Sequence, residues 1–114
     1  MAIYEVDGLP EAPLAAAAQF HARHVPLIEL LAMASDQSLT IVFAAADHAH
    51  HGWRLAAVQM LARALAPKRL NAVSGNSGKA IIAATEYLAR APGLTGQLIS
   101  LDDEGAAAVI ASRP

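Results

Sequence analysis

Cysteine is absent from this 114-residue sequence, which excludes disulfide bonds and thiolate metal sites. Aromatic residues make up only 4% of the chain, so its core must be built mainly from Leu, Ile, Val and Ala. Only two lysines are present and the formal net charge is −2, which leaves no basic face for phosphate backbones or anionic lipid. We therefore expect no nucleic-acid partner and no membrane partner.

Long apolar runs are also missing. The two longest apolar stretches, "APLAAAAQF" and "VPLIELLAMA", fall short of the roughly 20 residues that a spanning helix needs. No basic segment precedes an apolar core, so we expect no secretory signal and a cytoplasmic location. The content of 55% hydrophobic residues suffices for a packed core, and the length allows one domain, residues 1–114.

Short apolar segments alternate with helical patterns along the chain. Strands are predicted at residues 2–6 and in "SLTIVFAAA", "RLNAV" and "GQLISL", of which the second is apolar on both sides of the pleat. Helices are predicted over residues 13–34, 53–66 and 79–91. Pro26 predicts a kink, or two helices that meet near His24 and Val25. Ser77 is predicted to cap the third helix, and Asp102 or Asp103 a brief terminal one.

This alternation predicts the fold class: an α/β, truncated Rossmann-like, three-layer domain. About four parallel strands should follow the order of the sequence, with helices between them. Right-handed crossovers in that order place the intervening helices on one face of the sheet. The opposite face then needs cover from the last helix or from a second subunit, which predicts association.

Two segments carry a resemblance to a known family. The chain reads "HGWRLAAVQMLARALAPKRLNAVSG" and later "YLARAPGLTGQLISLDDEG". The Ala-rich helix, the "LAP", the strand similar to "VNAVSPG" and the "TGQ" before an acidic tail resemble the C-terminal half of short-chain dehydrogenase/reductases. The resemblance covers approximately residues 2–104.

The resemblance also implies that catalytic groups are missing. Alignment on these motifs places His51 where the family has its catalytic Tyr, and Leu55 where it has its Lys. The family's catalytic Ser falls among Ala44, Ala45 and Ala46. An aliphatic side chain supplies neither the charge nor the donor that the Tyr-x-x-x-Lys pair uses for proton transfer, so no hydride transfer is expected. The chain is then a pseudoenzyme.

The family's cofactor motif has no counterpart either. No Gly-x-Gly-x-x-Gly occurs in the sequence, and "SGNSGK" stands where the family has Ser-Pro-Gly. We therefore expect no cofactor.

The family's mode of assembly implies a partner. The helices that match residues 12–34 and 53–66 pack against their copies there as a four-helix bundle. The resemblance thus implies a homodimer, or association with a full-length relative. The interface candidates are apolar residues of these helices, not separable by sequence from core positions: Phe20, Leu27, Leu31, Trp53, Val58, Leu61 and Leu65.

An alternative function rests on a His-rich loop. Asp47, His48, His50 and His51 follow the best-predicted strand, at the edge where open α/β sheets bind their ligands. Imidazole and carboxylate groups are common Zn²⁺ ligands, so this loop is a candidate metal site of a ligand-binding protein or enzyme. The competing interpretation is a solvated loop and helix cap.

A further alternative is residual nucleotide binding at the loop after the third strand. Backbone N–H groups of a Gly-containing loop between strand and helix can cradle an anion. The sequence is not a Walker A motif, and an ordinary Ser-capped connection explains it equally well. The residues concerned are Ser74, Gly75, Asn76, Ser77, Gly78 and Lys79.

Overall fold

The computed structural model describes residues 1–101. Four parallel strands form one sheet in the order β1-β2-β3-β4, which is the order of the sequence. The strands are β1 (Ala2–Glu5), β2 (Leu39–Phe43), β3 (Leu70–Ser74) and β4 (Leu98–Ser100). The helices are α1 (Pro13–Gln19), α2 (Val25–Ala34), α3 (His51–Ala64) and α4 (Gly78–Ala89). The predicted α/β fold is confirmed; the predicted terminal helix lies outside the described residues.

The sheet is covered on both faces. Leu39, Ile41 and Phe43 of β2 point to one face, where they pack with buried residues of α2 and α3. Val42 of β2 and Val73 of β3 point to the other face, where α4 packs. All five residues of β2 are buried, as its apolar composition predicts for a central strand. The layers are therefore helix, sheet and helix.

The position of α4 corrects the expectation that all helices share one face. The strands advance in one direction across the sheet, but α4 lies opposite to α2 and α3. The connection from β3 to β4 therefore has the opposite hand from the two before it. Crossovers between parallel strands are right-handed in about 98% of cases, and no local pattern in the chain marks this exception. The apolar stripe of Ala80, Ala84 and Leu88 supplies the cover.

The long helix breaks near the predicted position, in a specific manner. Between α1 and α2 the chain forms a π-helical segment, Phe20–His24, and the N–H of Val25 bonds to the carbonyl of Phe20, five residues back. Pro26 then falls in the first turn of α2, where its missing N–H has no cost. The wider turn directs both Phe20 and His24 into the protein.

None of the helices within residues 1–101 is long and apolar enough to cross a membrane.

Candidate functional site

The loops that leave the carboxyl ends of β1, β2 and β3 enclose two cavities. The larger, of about 570 Å³, lies between the loop after β1 and the loop after β2. The smaller, of about 100 Å³, lies between the ends of β2, β3 and β4. Arg54, from the first turn of α3, lines both. This edge is where open α/β sheets bind ligands, so these cavities form the candidate site.

The His-rich loop begins with a cap. Asp47 Oδ1 accepts a hydrogen bond from the Ala49 N–H at 3.1 Å and opens a 3₁₀ turn, His48–His50. This turn leads directly into α3, which is why the helix begins at His51 and not at the predicted residue 53. The capping role that the sequence allowed for Asp47 is present.

His50 differs from its neighbours because its ring is buried and both ring nitrogens are engaged. Nε2 lies 2.8 Å from the Glu11 carbonyl, and Nδ1 accepts the indole N–H of Trp53 at 3.0 Å. A carbonyl only accepts, so the hydrogen is on Nε2 and the lone pair of Nδ1 is occupied by Trp53. In this arrangement His50 has no lone pair for a metal ion.

His48 and His51 remain at the surface. Their rings stack with centroids 6.1 Å apart and an interplanar angle of 6°. Within residues 1–101, no three His, Asp or Glu side chains are grouped as a metal site requires. The His-rich loop is therefore divided between a cap, a buried structural imidazole and two exposed rings.

Arg54 is the functional candidate that sequence reasoning missed. It is only 6% exposed, and its Nη1 donates to the Ala44 carbonyl at 2.9 Å and to Ser74 Oγ at 3.1 Å. Its guanidinium carbon lies 4.5 Å from the centroid of the Phe43 ring. Arg54 precedes Val58 by four residues and Leu61 by seven, so it continues the buried stripe of α3. A charged residue on an apolar stripe was the signal available in the sequence.

The loop of residues 74–79 is tied to its neighbours. Asn76 Oδ1 accepts from the Ala45 N–H, which joins this loop to the one after β2. Ser77 Oγ accepts from the Ala80 N–H, so the predicted cap of α4 is confirmed. The Gly75 N–H bonds to the Phe43 carbonyl, and a Cβ at Gly75 would come within 3.0 Å of Leu101 Cβ. Gly78 and Lys79 are exposed.

Two histidines of the first helical region behave differently from each other. His21 is exposed and bonds to the Ala17 carbonyl, whereas His24 is buried because the π-helical segment turns it inward. The Tyr4 hydroxyl lies 2.8 Å from Nδ1 of His24, and Nε2 has no partner within residues 1–101.

The titration of the Tyr4 phenol tests the burial of this side chain. Burial, with a smaller contribution from the Asp7 carboxylate, raises the pKa of Tyr4 above its ordinary value of 10.0, against a weaker opposing effect of Arg23. The folded state then holds the phenol proton more tightly than the unfolded chain, so the free energy of unfolding falls as pH rises through 10.0 towards the folded pKa. We subtract the phenolate absorbance of the Tyr4→Phe variant from that of the wild type. The difference is expected to titrate with a midpoint above pH 10.0. A midpoint at or below that value would contradict the packing.

The interface candidates separate into two groups. Phe20, Val58 and Leu61 are buried in the core of the chain itself and offer no surface to a partner. Leu31, Trp53 and Leu65 are half-buried against that core, and Leu27 is exposed. Which of these residues are buried depends on how α2 and α3 are oriented on the sheet. Hydrophobic periodicity alone does not predict that orientation.

Comparison with known proteins assigns the chain to a family. The family model described as SDR-like, short chain dehydrogenase-like protein, matches residues 4–101. No curated protein and no solved structure matched the chain.

Proposed function

Because the chain belongs to the short chain dehydrogenase-like family, we propose that it is a non-catalytic member whose function is to associate with a second copy of itself. Two observations support it: the site lacks the family's catalytic groups, and α2 and α3 expose apolar side chains.

The chemistry of the site supports the first half of this proposal. His51, at the family's Tyr position, stacks on His48 at the surface, and Leu55, at the Lys position, is half-buried. Leu55 supplies no ammonium group, so the Tyr and Lys pair that the family uses for proton transfer has no counterpart at residues 51 and 55. Ala44, Ala45 and Ala46 carry no hydroxyl at the end of β2.

The observation that carries the proposal is an apolar outer layer on the helices. On α2, Leu27, Leu30 and Ala34 are exposed at spacings of three and four. On α3, Met60 is 55% exposed between two exposed alanines, Ala56 and Ala64. Both helices lie on the same face of the sheet. These are the helices that pair as a four-helix bundle in the family, and exposed apolar side chains grouped on one side of a helix are typical of interaction sites.

Light scattering after size exclusion tests the proposal. The wild-type protein is expected to elute at micromolar concentration with twice its 11.8 kDa chain mass. Leu30→Glu places an unpaired charge in the interface and is expected to weaken the dimer by roughly 100-fold or more.

Ile82→Glu is the matched control. Ile82 is 59% exposed on α4, on the opposite face of the sheet, and Leu30 is 61% exposed on α2. This variant is expected to stay dimeric. A monomeric wild type, or a dimer that Ile82→Glu disrupts and Leu30→Glu does not, would refute the proposed interface. Hydride transfer catalysed by the purified protein would refute the proposal that the chain is non-catalytic.

A further inference from the structure

The charge of Arg54 has no partner of opposite sign within residues 1–101. Its two hydrogen bonds go to neutral oxygens, the Ala44 carbonyl and the Ser74 hydroxyl, and both come from Nη1. Its Nε is buried and has no hydrogen-bond partner in the part of the chain that the structure describes. A guanidinium has five N–H donors, so most of its donor capacity is unused. Burial also lowers the pKa of Arg54, which reflects the cost of a charge removed from water.

The side chain is held in place although it is not neutralised. The rings of Phe43 and Trp53 lie 4.5 and 5.7 Å from its guanidinium carbon. Such cation–π contacts, together with the two hydrogen bonds, fix the plane of the group. A buried, oriented and unneutralised arginine is costly in a fold that gains nothing from it, because a buried charge is normally paired.

The smaller cavity supplies complementary groups. Besides Arg54 it is lined by His48, His51 and the hydroxyl-bearing Ser74 and Ser100. Among the described residues that line it, Asp47 is the one carboxylate, and its Oδ1 accepts a hydrogen bond from the Ala49 N–H. Its volume of about 100 Å³ is several times the space that one water needs. The larger cavity, by contrast, is lined by Asp7, Glu11 and Asp47, which repel anions.

We propose that the smaller cavity binds an oxyanion of the size of phosphate, held by the Arg54 guanidinium and by the Ser74 hydroxyl. To donate to the anion, the Ser74 O–H gives up its long hydrogen bond of 3.4 Å to the Ala44 carbonyl. Arginine suits this task because its planar fork of donors matches two oxygens of one anion. The anion is either free phosphate or the phosphate group of a small molecule. This site is independent of the proposed dimer, since its ligands lie at the sheet edge and not on the outer faces of α2 and α3.

Titration with inorganic phosphate, followed by amide NMR at constant ionic strength, tests the site. We expect saturable shifts for residues around Asp47, Arg54 and Ser74, and none with chloride. Arg54→Met, which keeps the length and loses the charge, should bind about 10- to 100-fold more weakly. Arg63→Met is the matched control, because Arg63 is exposed on the same helix, and it should bind as the wild type does.

Two more variants keep the test decisive. Should Arg54→Met fail to fold, Ser74→Ala removes one proposed ligand and should weaken binding several-fold. Leu30→Glu should bind phosphate normally, which separates this site from dimer formation. The same titration with glucose 6-phosphate, with glucose as its control, shows whether the site also takes the phosphate group of a small molecule or only free phosphate. Shifts that do not saturate, or that persist unchanged in Arg54→Met and Ser74→Ala, overturn the proposal.

Discussion

Phe20→Ala is expected to lower the free energy of unfolding by about 3–5 kcal/mol, the range for a large aromatic side chain removed from a core. Phe20 is fully buried at the point where the π-helical segment faces the sheet. Its ring lies 5.4 Å from that of Phe43 and 5.5 Å from that of Trp53. Its loss therefore leaves a cavity between the long helical region and two other elements, β2 and α3.

Urea denaturation followed by circular dichroism measures this change. Leu14→Ala is the control, because Leu14 is 89% exposed on α1 and its truncation should change stability by no more than about 0.5 kcal/mol. In a domain of this size, a loss of 3–5 kcal/mol is a large part of the total stability. A Phe20→Ala midpoint within error of the wild type would show that the ring is not in the core.

Asn71→Ala is expected to cost about 2–4 kcal/mol, because it leaves two backbone groups without their partner. Asn71 is buried in β3, where its Nδ2 donates to the Leu94 carbonyl at 2.9 Å. Its Oδ1 accepts from the Gln97 N–H at 3.0 Å. One amide side chain thus holds both ends of the segment that leads into β4, and the same denaturation series measures its loss.

Asn76→Ala is the matched control for Asn71→Ala. Asn76 also accepts a backbone hydrogen bond, from the Ala45 N–H, but it lies in an exposed loop where water replaces its amide. Its truncation is expected to cost no more than about 1 kcal/mol. Equal losses in the free energy of unfolding for the two variants would mean that the burial of Asn71 does not increase the contribution of its hydrogen bonds to stability.

Several features of the fold were predictable from local sequence. The run from Leu39 to Phe43 is apolar except at Thr40, and it forms one of the two inner strands of the sheet. Ser77 precedes an apolar helical pattern and caps it, and Pro26 marks the region where the first long helix changes its geometry. These signals act over a few residues, since caps, breaks and periodicity depend on neighbours in the chain.

The site was predictable in location but not in composition. The loop after β2 was identified, yet the sequence emphasised four residues that the structure divides into a cap, a buried ring and two exposed rings. Arg54 was overlooked because its significance depends on contacts with Ala44 and Ser74, which lie 10 and 20 residues away. Long-range contacts of this kind leave no local pattern.

The order of residues is enough to establish the family, the succession of strands and helices, and the absence of the family's Tyr-x-x-x-Lys pair. Hydrophobic periodicity and residue identity suffice for these, because both are properties of the chain before it folds. The packed fold was needed to establish that α4 covers the second face and that a buried arginine lies at the carboxyl ends of the strands. It was also needed to place Phe20, Val58 and Leu61 in the core and not on a contact surface. Each of these features depends on which surfaces meet when the layers pack. The same hydrophobic periodicity is compatible with many arrangements of the helices on the sheet.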